Sequence, residues 1–284
     1  MSDAPRSSTR EQALRELARA CEAIEADAWR DVWACASSDV AGELGLRTLE
    51  RGGTLALAAD SLESLLMNRV VCLGVGEPLD DAALDAITAH FEGGQSFAWN
   101  VSPVAKPEGL EDSLTTRGYA TYFHHVRWAR DASPYAPARA TALRVTRVTP
   151  GDDARAWAEL SAEVFAHGSP LVRDWLAALP GRECWQVFAA WDGDTLAGGA
   201  ALYVRGTFAW LGMGAARDAH RGKGAQTALL AARIAAAAEA GARWLTTETG
   251  PNWPELDPVS WRNVERAGFG VLYERPSWIR PPRA

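Results

Sequence analysis

The chain has 284 residues, a formal net charge of -7 and 48% hydrophobic residues. That length exceeds the roughly 100–200 residues of a typical domain and predicts two; the acidic balance argues against a general nucleic-acid or membrane-surface binder, which needs a basic face. No basic segment leads into an apolar run at the start, and no stretch approaches the ~20 apolar residues of a membrane span, so the sequence reads as cytoplasmic, with neither nucleic acid nor membrane as partner.

The first half opens with apolar residues recurring at three and four (Leu14, Leu17, Cys21, Ile24, Ala28), which predicts a helix over Glu11 to Ala36. Strands are then expected in Thr54–Asp60 and Asn68–Gly76, a helix in Asp80–Gly94 closed by Gly93, a strand in Ser96–Pro103, a short helix in Leu110–Tyr119 and a strand in Tyr122–Arg130. "RDASPYAPARATA", Arg130 to Ala142, has prolines, small residues and no apolar period, and marks the boundary. The cysteines Cys21, Cys35, Cys72 and Cys184 form no CxxC pair, which points to buried free thiols and no metal site.

Beyond the boundary come a strand (Leu143–Thr149), helices in Asp153–Ala166 and Leu171–Leu179, and two strands within Cys184–Val204 turning at Asp192-Gly193. A further strand (Thr207–Ala216) precedes an alanine-rich helix from Lys223 to Gly241, followed by the strand Ala242–Thr249, a helix around Ser260 to Arg266 and terminal strands from Gly268. The element order of the first half recurs: Asn68–Gly76 falls opposite Thr207–Ala216, Leu79–Gly93 opposite Lys223–Gly241, and Arg117-Gly118-Tyr119 opposite Ala267-Gly268-Phe269. This is a diverged tandem repeat, 1–135 and 143–284, each copy an α/β (α+β) module with a mixed, mostly antiparallel sheet flanked by helices.

The most informative stretch is the turn Arg221-Gly222-Lys223-Gly224 between a strand and a helix. Glycines allow close backbone approach, and the first helical turn offers unpaired amides at the positive end of the helix dipole, which together make a pyrophosphate site. A P-loop does not fit, because Gly224 follows Lys223, and a dinucleotide fingerprint started at Gly222 meets Thr227 where its third glycine belongs. Alanines on the following helix let it lie close to the sheet, with Leu229, Leu230 and Ile234 as its apolar stripe.

The turn resembles the acyl-CoA-binding motif Gln/Arg-x-x-Gly-x-Gly/Ala of the GNAT superfamily of N-acetyltransferases, through Arg221, Gly222, Lys223, Gly224 and Ala225, with Gln226 in the last Gly/Ala place. "DPVSWRNVERAGF" resembles the family's later helix and Gly-Phe strand start through Ser260, Glu265, Gly268 and Phe269, with Asp257 for its asparagine and Arg266 for its lysine. The resemblance covers essentially all of 143–284; the first half is similar only in outline, and Glu77, Asp80 and Asp81 at its turn would repel a pyrophosphate. No CoA site is expected there.

The resemblance implies acetyl-CoA as acyl donor and direct attack by a primary amine of a small or amino-acid-like acceptor, with both substrates bound together. It implies a cofactor site at Met213, Gly214, Ala215 and Ala216 of the strand, at Arg221, Gly222, Lys223, Gly224, Ala225 and Gln226 of the turn, and at Asn263 of the later helix. The family's frequent tyrosine acid falls on Val264, leaving Ser260, Tyr203, Tyr273 or water to protonate the thiolate. Base candidates are Glu248, Glu163 and His167; the adjacent His124 and His125 point to opposite faces of a strand. The tryptophans read as core or interface anchors, with Trp253 and Trp261 as candidates for an apolar acceptor pocket. A catalytically silent acyl-CoA-binding regulator and a nucleotide-binding protein stay open as alternatives, and a homodimer is compatible with either.

Overall fold

The computed structural model describes residues 4–252 and 259–281; Trp253 and Asp257 lie outside the described residues. A long helix α1 (Ala4–Ala34) and a short one, α2 (Ser38–Leu44), lead into β1 (Leu46–Arg51), β2 (Thr54–Ala59), β3 (Arg69–Val71), α3 (Asp81–His90), β4 (Ala98–Asn100), α4 (Leu110–Thr116) and β5 (Ala120–Asp131). The second half contributes β6 (Arg144–Val148), α5 (Asp152–Phe165), α6 (Pro170–Leu176), β7 (Trp185–Asp192), β8 (Thr195–Arg205), β9 (Phe208–Ala216), α7 (Ala225–Glu239), β10 (Trp244–Thr249), α8 (Val259–Arg266) and β11 (Gly270–Ile279).

Two elements were not expected. The α2 helix starts at a serine cap, Ser37, and ends at Gly45 in the left-handed region, after which β1 pairs with β2 across Gly52-Gly53. β1 is half exposed, so it lacks the apolar alternation that betrays a strand. Conversely, the terminal strands expected after Gly268 are one strand, β11, bent by two register irregularities along β5.

Among the described residues all strands join one mixed, mostly antiparallel sheet of eleven, in the order β1-β2-β3-β4-β11-β5-β10-β9-β8-β7-β6, in which β3–β4 and β9–β10 are parallel and the other pairs antiparallel. The order is an exchange: β11, last in the chain, inserts beside β4, while β5, last in the first half, inserts beside β10. The halves are contiguous in sequence but interleaved in the sheet. Local equivalences support the repeat: Met213 and Cys72, two residues beyond the last parallel pair of their strands, both take positive φ (51° and 59°). Gly118 and Gly268 likewise share φ near 80°, each ending a helix whose capping amide bond runs back to Leu114 or Val264.

Both sheet faces are covered. On β2, Leu55, Leu57 and Ala59 face the cluster of α1, whereas Ala56 and Ala58 face α3 and α4. The α1 face also carries α5, α6 and a tryptophan cluster, Trp29, Trp33, Trp157, Trp175, Trp185 and Trp210; α7 and α8 pack on the opposite face of the second half.

Where the halves interleave, α1 lowers Glu22 and Glu25 onto three arginines, Arg69 of β3, Arg127 of β5 and Arg275 of β11, and β10 adds Glu248. Both α1 carboxylates and all three guanidiniums are buried. Burial by itself pushes the Glu25 carboxyl up, but Arg127, Arg275 and Arg69 outweigh it and hold the group well below the usual carboxylate range. Removing one partner leaves an unpaired charge in the core, so Glu25→Gln is expected to lower the unfolding free energy by about 3–5 kcal/mol in urea titration, while Glu11→Gln, on the exposed start of the same helix, leaves it within error. A depressed carboxyl stabilises the fold above its unfolded pKa, so this contribution is expected to fade in melts taken below about pH 4.3.

Candidate active site

The parallel ladder of β9 and β10 ends at Leu211 and Thr247. Beyond it Glu248 and Thr249 follow β5, whereas Gly212 to Ala216 follow β8, so the two strands part. A bulge at Met213 and Gly214 takes both residues out of register with β8, between Gly199 and Ala201, and frees their backbone groups from the ladder.

The turn follows directly. Gly222 and Gly224 have φ of 79° and 86°, conformations that exclude most side chains. Gly224 is the N-cap of α7, and no side chain caps the helix, so its first amides stay open. Thr141, from the segment joining the halves, clamps the turn by donating its hydroxyl to the Lys223 carbonyl at 2.6 Å. Lys223 meets Asp192 at 2.6 Å and Arg221 meets Asp218 at 2.8 Å, both on the surface. Lys223 and, further off, His220 hold the Asp192 carboxyl below its usual range.

Strand, turn, α7 and α8 enclose a cleft of about 1200 Å³. It takes in Gly214, Ala215, Ala216, Arg221, Gly222, Lys223, Gly224, Ala225, Gln226, Ser260 and Asn263. Met213 is buried beside it in the α1-face core. Gln226 is turned from the turn's mouth: its amide donates to Ser260 Oγ at 3.0 Å and its carbonyl accepts from Asn263 at 2.6 Å. The substituted position of the motif therefore serves to tie α7 to α8.

Five cationic side chains, Arg139, Arg221, Lys223, Arg233 and Arg266, line the cleft, and no carboxylate does among the described residues. Tyr135, Arg139 and Arg233 are among the lining residues that the sequence reading did not single out. Tyr135 and Arg139 belong to the proline-rich segment, which folds back as a wall of the cleft. Arg233 lies four residues after Leu229 on the buried side of α7, a spacing that could have revealed it. Its guanidinium bonds the carbonyls of Leu229, Ala201 and Gly212 at 3.2–3.3 Å, and burial lowers its pKa to about 9.

The other candidates sit elsewhere. Glu248 is 15% exposed and clamped by Arg275 and Arg127; burial opposes its charge, but the cations prevail and keep it ionised. Glu163 pairs with Arg217 at 2.9 Å, and His167 is exposed with φ of 50°. Val264, at the tyrosine position, faces the core rather than the cleft. Tyr273 donates to Glu22 inside the charge network, and Tyr203 is buried against Trp185, with its pKa pushed up to about 12 by burial. Trp261 stacks edge-on against Trp128 at 4.5 Å, as a packing residue, and Trp244 is exposed. Among the described residues no His, Cys, Asp and Glu cluster could hold a metal, and no helix is long and apolar enough to cross a membrane.

At the equivalent place in the first half the strands also part, after Val70 and Trp99. There the loop before α4 fills the opening: Gly74 abuts Lys106 so closely that a Cβ on it would lie 2.0 Å from the Lys106 carbonyl oxygen, and Leu79 donates to that same oxygen. Asp80 is spent capping α3, and Asp81 on Arg117.

The model of the Acetyltransferase (GNAT) family matches residues 153–254. No curated protein matches the sequence. Among solved structures, a GCN5-related N-acetyltransferase from Kribbella flavida aligns with a TM-score of 0.63 at 16% identity, over 92% of this chain and 96% of that one. One from Sphaerobacter thermophilus gives 0.57 at 17%, over 84% and 77%. A tandem GNAT protein from the clavulanic acid biosynthesis pathway gives 0.52 at 17%, over 93% and 96%. At such identities these likenesses speak for the fold alone, which is GNAT-like, and within it residues 153–254 match the model of the Acetyltransferase (GNAT) family.

Proposed function

We propose that the protein is a cytoplasmic N-acetyltransferase that moves an acetyl group from acetyl-CoA to a primary amine of a small or amino-acid-like acceptor, both bound at once. The observation that carries this reading is the charge of the cleft's exposed lining: four cations, Arg139, Arg221, Lys223 and Arg266, and, among the described residues, no carboxylate, in a chain of net charge -7. A ligand with a pyrophosphate and a further phosphate matches such a lining. In this reading Gly222 to Gln226 receive the pyrophosphate, and the freed backbone of Met213 to Ala216 receives the pantetheine arm. Residues 1–135 form a degenerate copy, which completes the sheet but holds no second cofactor.

In the reaction the amine nitrogen attacks the thioester carbon, a C–N bond forms as the C–S bond breaks, the amine gives up a proton and the thiolate takes one. Among the described residues Tyr135, Thr227 and Ser260 are the hydroxyl-bearing residues that line the cleft, and we assign the proton for the thiolate to Ser260 or Tyr135. Glu248, held ionised by two guanidiniums, is assigned a positioning role in place of that of a free base. A second reading, a silent acyl-CoA-binding regulator, is favoured by the position of Val264 and by the lack of a carboxylate in the cleft among the described residues.

Calorimetric titration of acetyl-CoA is expected to give one saturable site, lost in Gly224→Trp and in the Arg221→Glu, Lys223→Glu double variant, with circular dichroism unchanged; no binding to the folded wild type would sink the CoA reading. Release of free thiol across a panel of primary amines separates enzyme from regulator. With an active acceptor, kcat/KM is expected to rise with pH up to the acceptor amine's own pKa, with no carboxylate limb between pH 5 and 7, because Glu248 stays charged throughout. Ser260→Ala or Tyr135→Phe, whichever removes the acid, is expected to cost about 100-fold in kcat.

A further inference from the structure

The cleft does not end at the turn. Its far wall is α7, and Arg233 lies nine residues beyond the cap glycine, about 13 Å along the helix axis. There the strands part, and the guanidinium spans Ala201 of β8 and Gly212 of β9, the paired residues immediately before the bulge. Carbonyls satisfy Nε and Nη1, but the charge itself meets no carboxylate among the described residues, although the residue is only 4% exposed. Nη2 turns toward the glycine of the bulge: a Cβ on Gly214 would have Arg233 Nη2 as its nearest neighbour, at 3.9 Å, with nothing else within 4 Å. A side chain at Gly214 would thus stand between the guanidinium and the cleft.

An arginine without a counter-ion is costly to bury, and a core position on an alanine-rich helix could be filled by leucine. An acetyl group offers this cation a methyl. We propose that Arg233 receives a carboxylate at the end of the acyl chain, so that the preferred donor is a CoA thioester of a short dicarboxylic acid and the group transferred is a carboxyacyl group. The proposal rests on the CoA reading of the cleft and puts a dicarboxylic thioester in place of acetyl-CoA as its preferred donor. A planar guanidinium with one free edge suits a carboxylate, and Gly214 leaves the path clear. Because Arg233 lines the same cleft as the turn, the anion it meets belongs to the ligand anchored there.

The test is calorimetric competition among CoA, acetyl-CoA, malonyl-CoA and succinyl-CoA on the full chain. Wild type is expected to bind one of the two dicarboxylic thioesters about tenfold or more tightly than acetyl-CoA. Arg233→Met is expected to abolish that preference while keeping its affinity for CoA, and Gly214→Val to reduce the preference with Arg233 intact; should Arg233→Met fail to fold, the Gly214 variant and the wild-type ranking carry the test. Equal affinity for acetyl-CoA and both dicarboxylic thioesters in wild type, with CoA itself binding, overturns the donor assignment alone. Failure of all four to bind overturns the CoA reading and the assignment with it. A preference that survives Arg233→Met, or one that appears only as tighter binding of an amino-acid acceptor, also overturns the assignment.

Discussion

Three arginines and three glutamates, all but the partly exposed Glu248 buried, meet where the two halves interleave and are the constraint on which this fold depends. They come from α1, β3, β5, β10 and β11, so no single half and no pair of neighbouring strands can satisfy them. A buried guanidinium away from its carboxylates costs several kcal/mol, which makes the network intolerant of partial assembly. Its effect is to fix how α1 lies across the sheet. That helix then sets the tryptophan cluster against β9 through Trp29 and Trp210, which pack edge to face at 5.6 Å, on the face opposite the cleft. Glu248 links the two regions: it belongs to the network, yet stands one residue beyond the point where β9 and β10 part.

The two halves start from the same backbone plan and end differently. Each has a parallel strand pair, a residue at positive φ two positions later, and a helix behind it. In the second half the space beyond stays open and is ringed by cations; in the first the loop carrying Lys106 occupies it, and Gly74 serves close packing with no ligand involved. A glycine after such a strand thus permits two outcomes, and the chemistry of the neighbouring side chains distinguishes them. Arg221 and Lys223 have no counterparts around Glu77.

The local elements were legible because their signals are local. The glycines of the turn, the apolar run of β2 and the small-residue face of α7 all act within a few residues. Sequence also suggested a repeat, through matched element order and the alignment of Arg117-Gly118-Tyr119 with Ala267-Gly268-Phe269. The exchange of β5 and β11 was not legible: both strands look the same to a pattern reading whichever neighbour they pair with, and only the positions of Arg127 and Arg275 against α1 specify the partner. The joining segment read as a spacer because it has no apolar period, but Tyr135 and Arg139 act as irregular wall residues, for which no periodic signal exists. Arg233 was passed over because a charged residue on a helix normally faces water; its buried register was present in the spacing, but the reason for burying it was not.

The interleaved strand order also bears on how the chain is made. A ribosome delivers β5 long before β10 and β11, the strands on either side of it, so the first half emerges with its last strand bare on both edges. Nearly every contact that closes the sheet at its centre spans more than a hundred residues, which places the molecule among slowly folding topologies. Until the final strand arrives, the nascent protein carries unpaired edges and the carboxylates Glu22, Glu25 and Glu248 without Arg275, and is open to mispairing with another copy of itself. The last ten-residue strand, remote in sequence from the Arg221 to Gly224 turn, therefore closes the whole architecture.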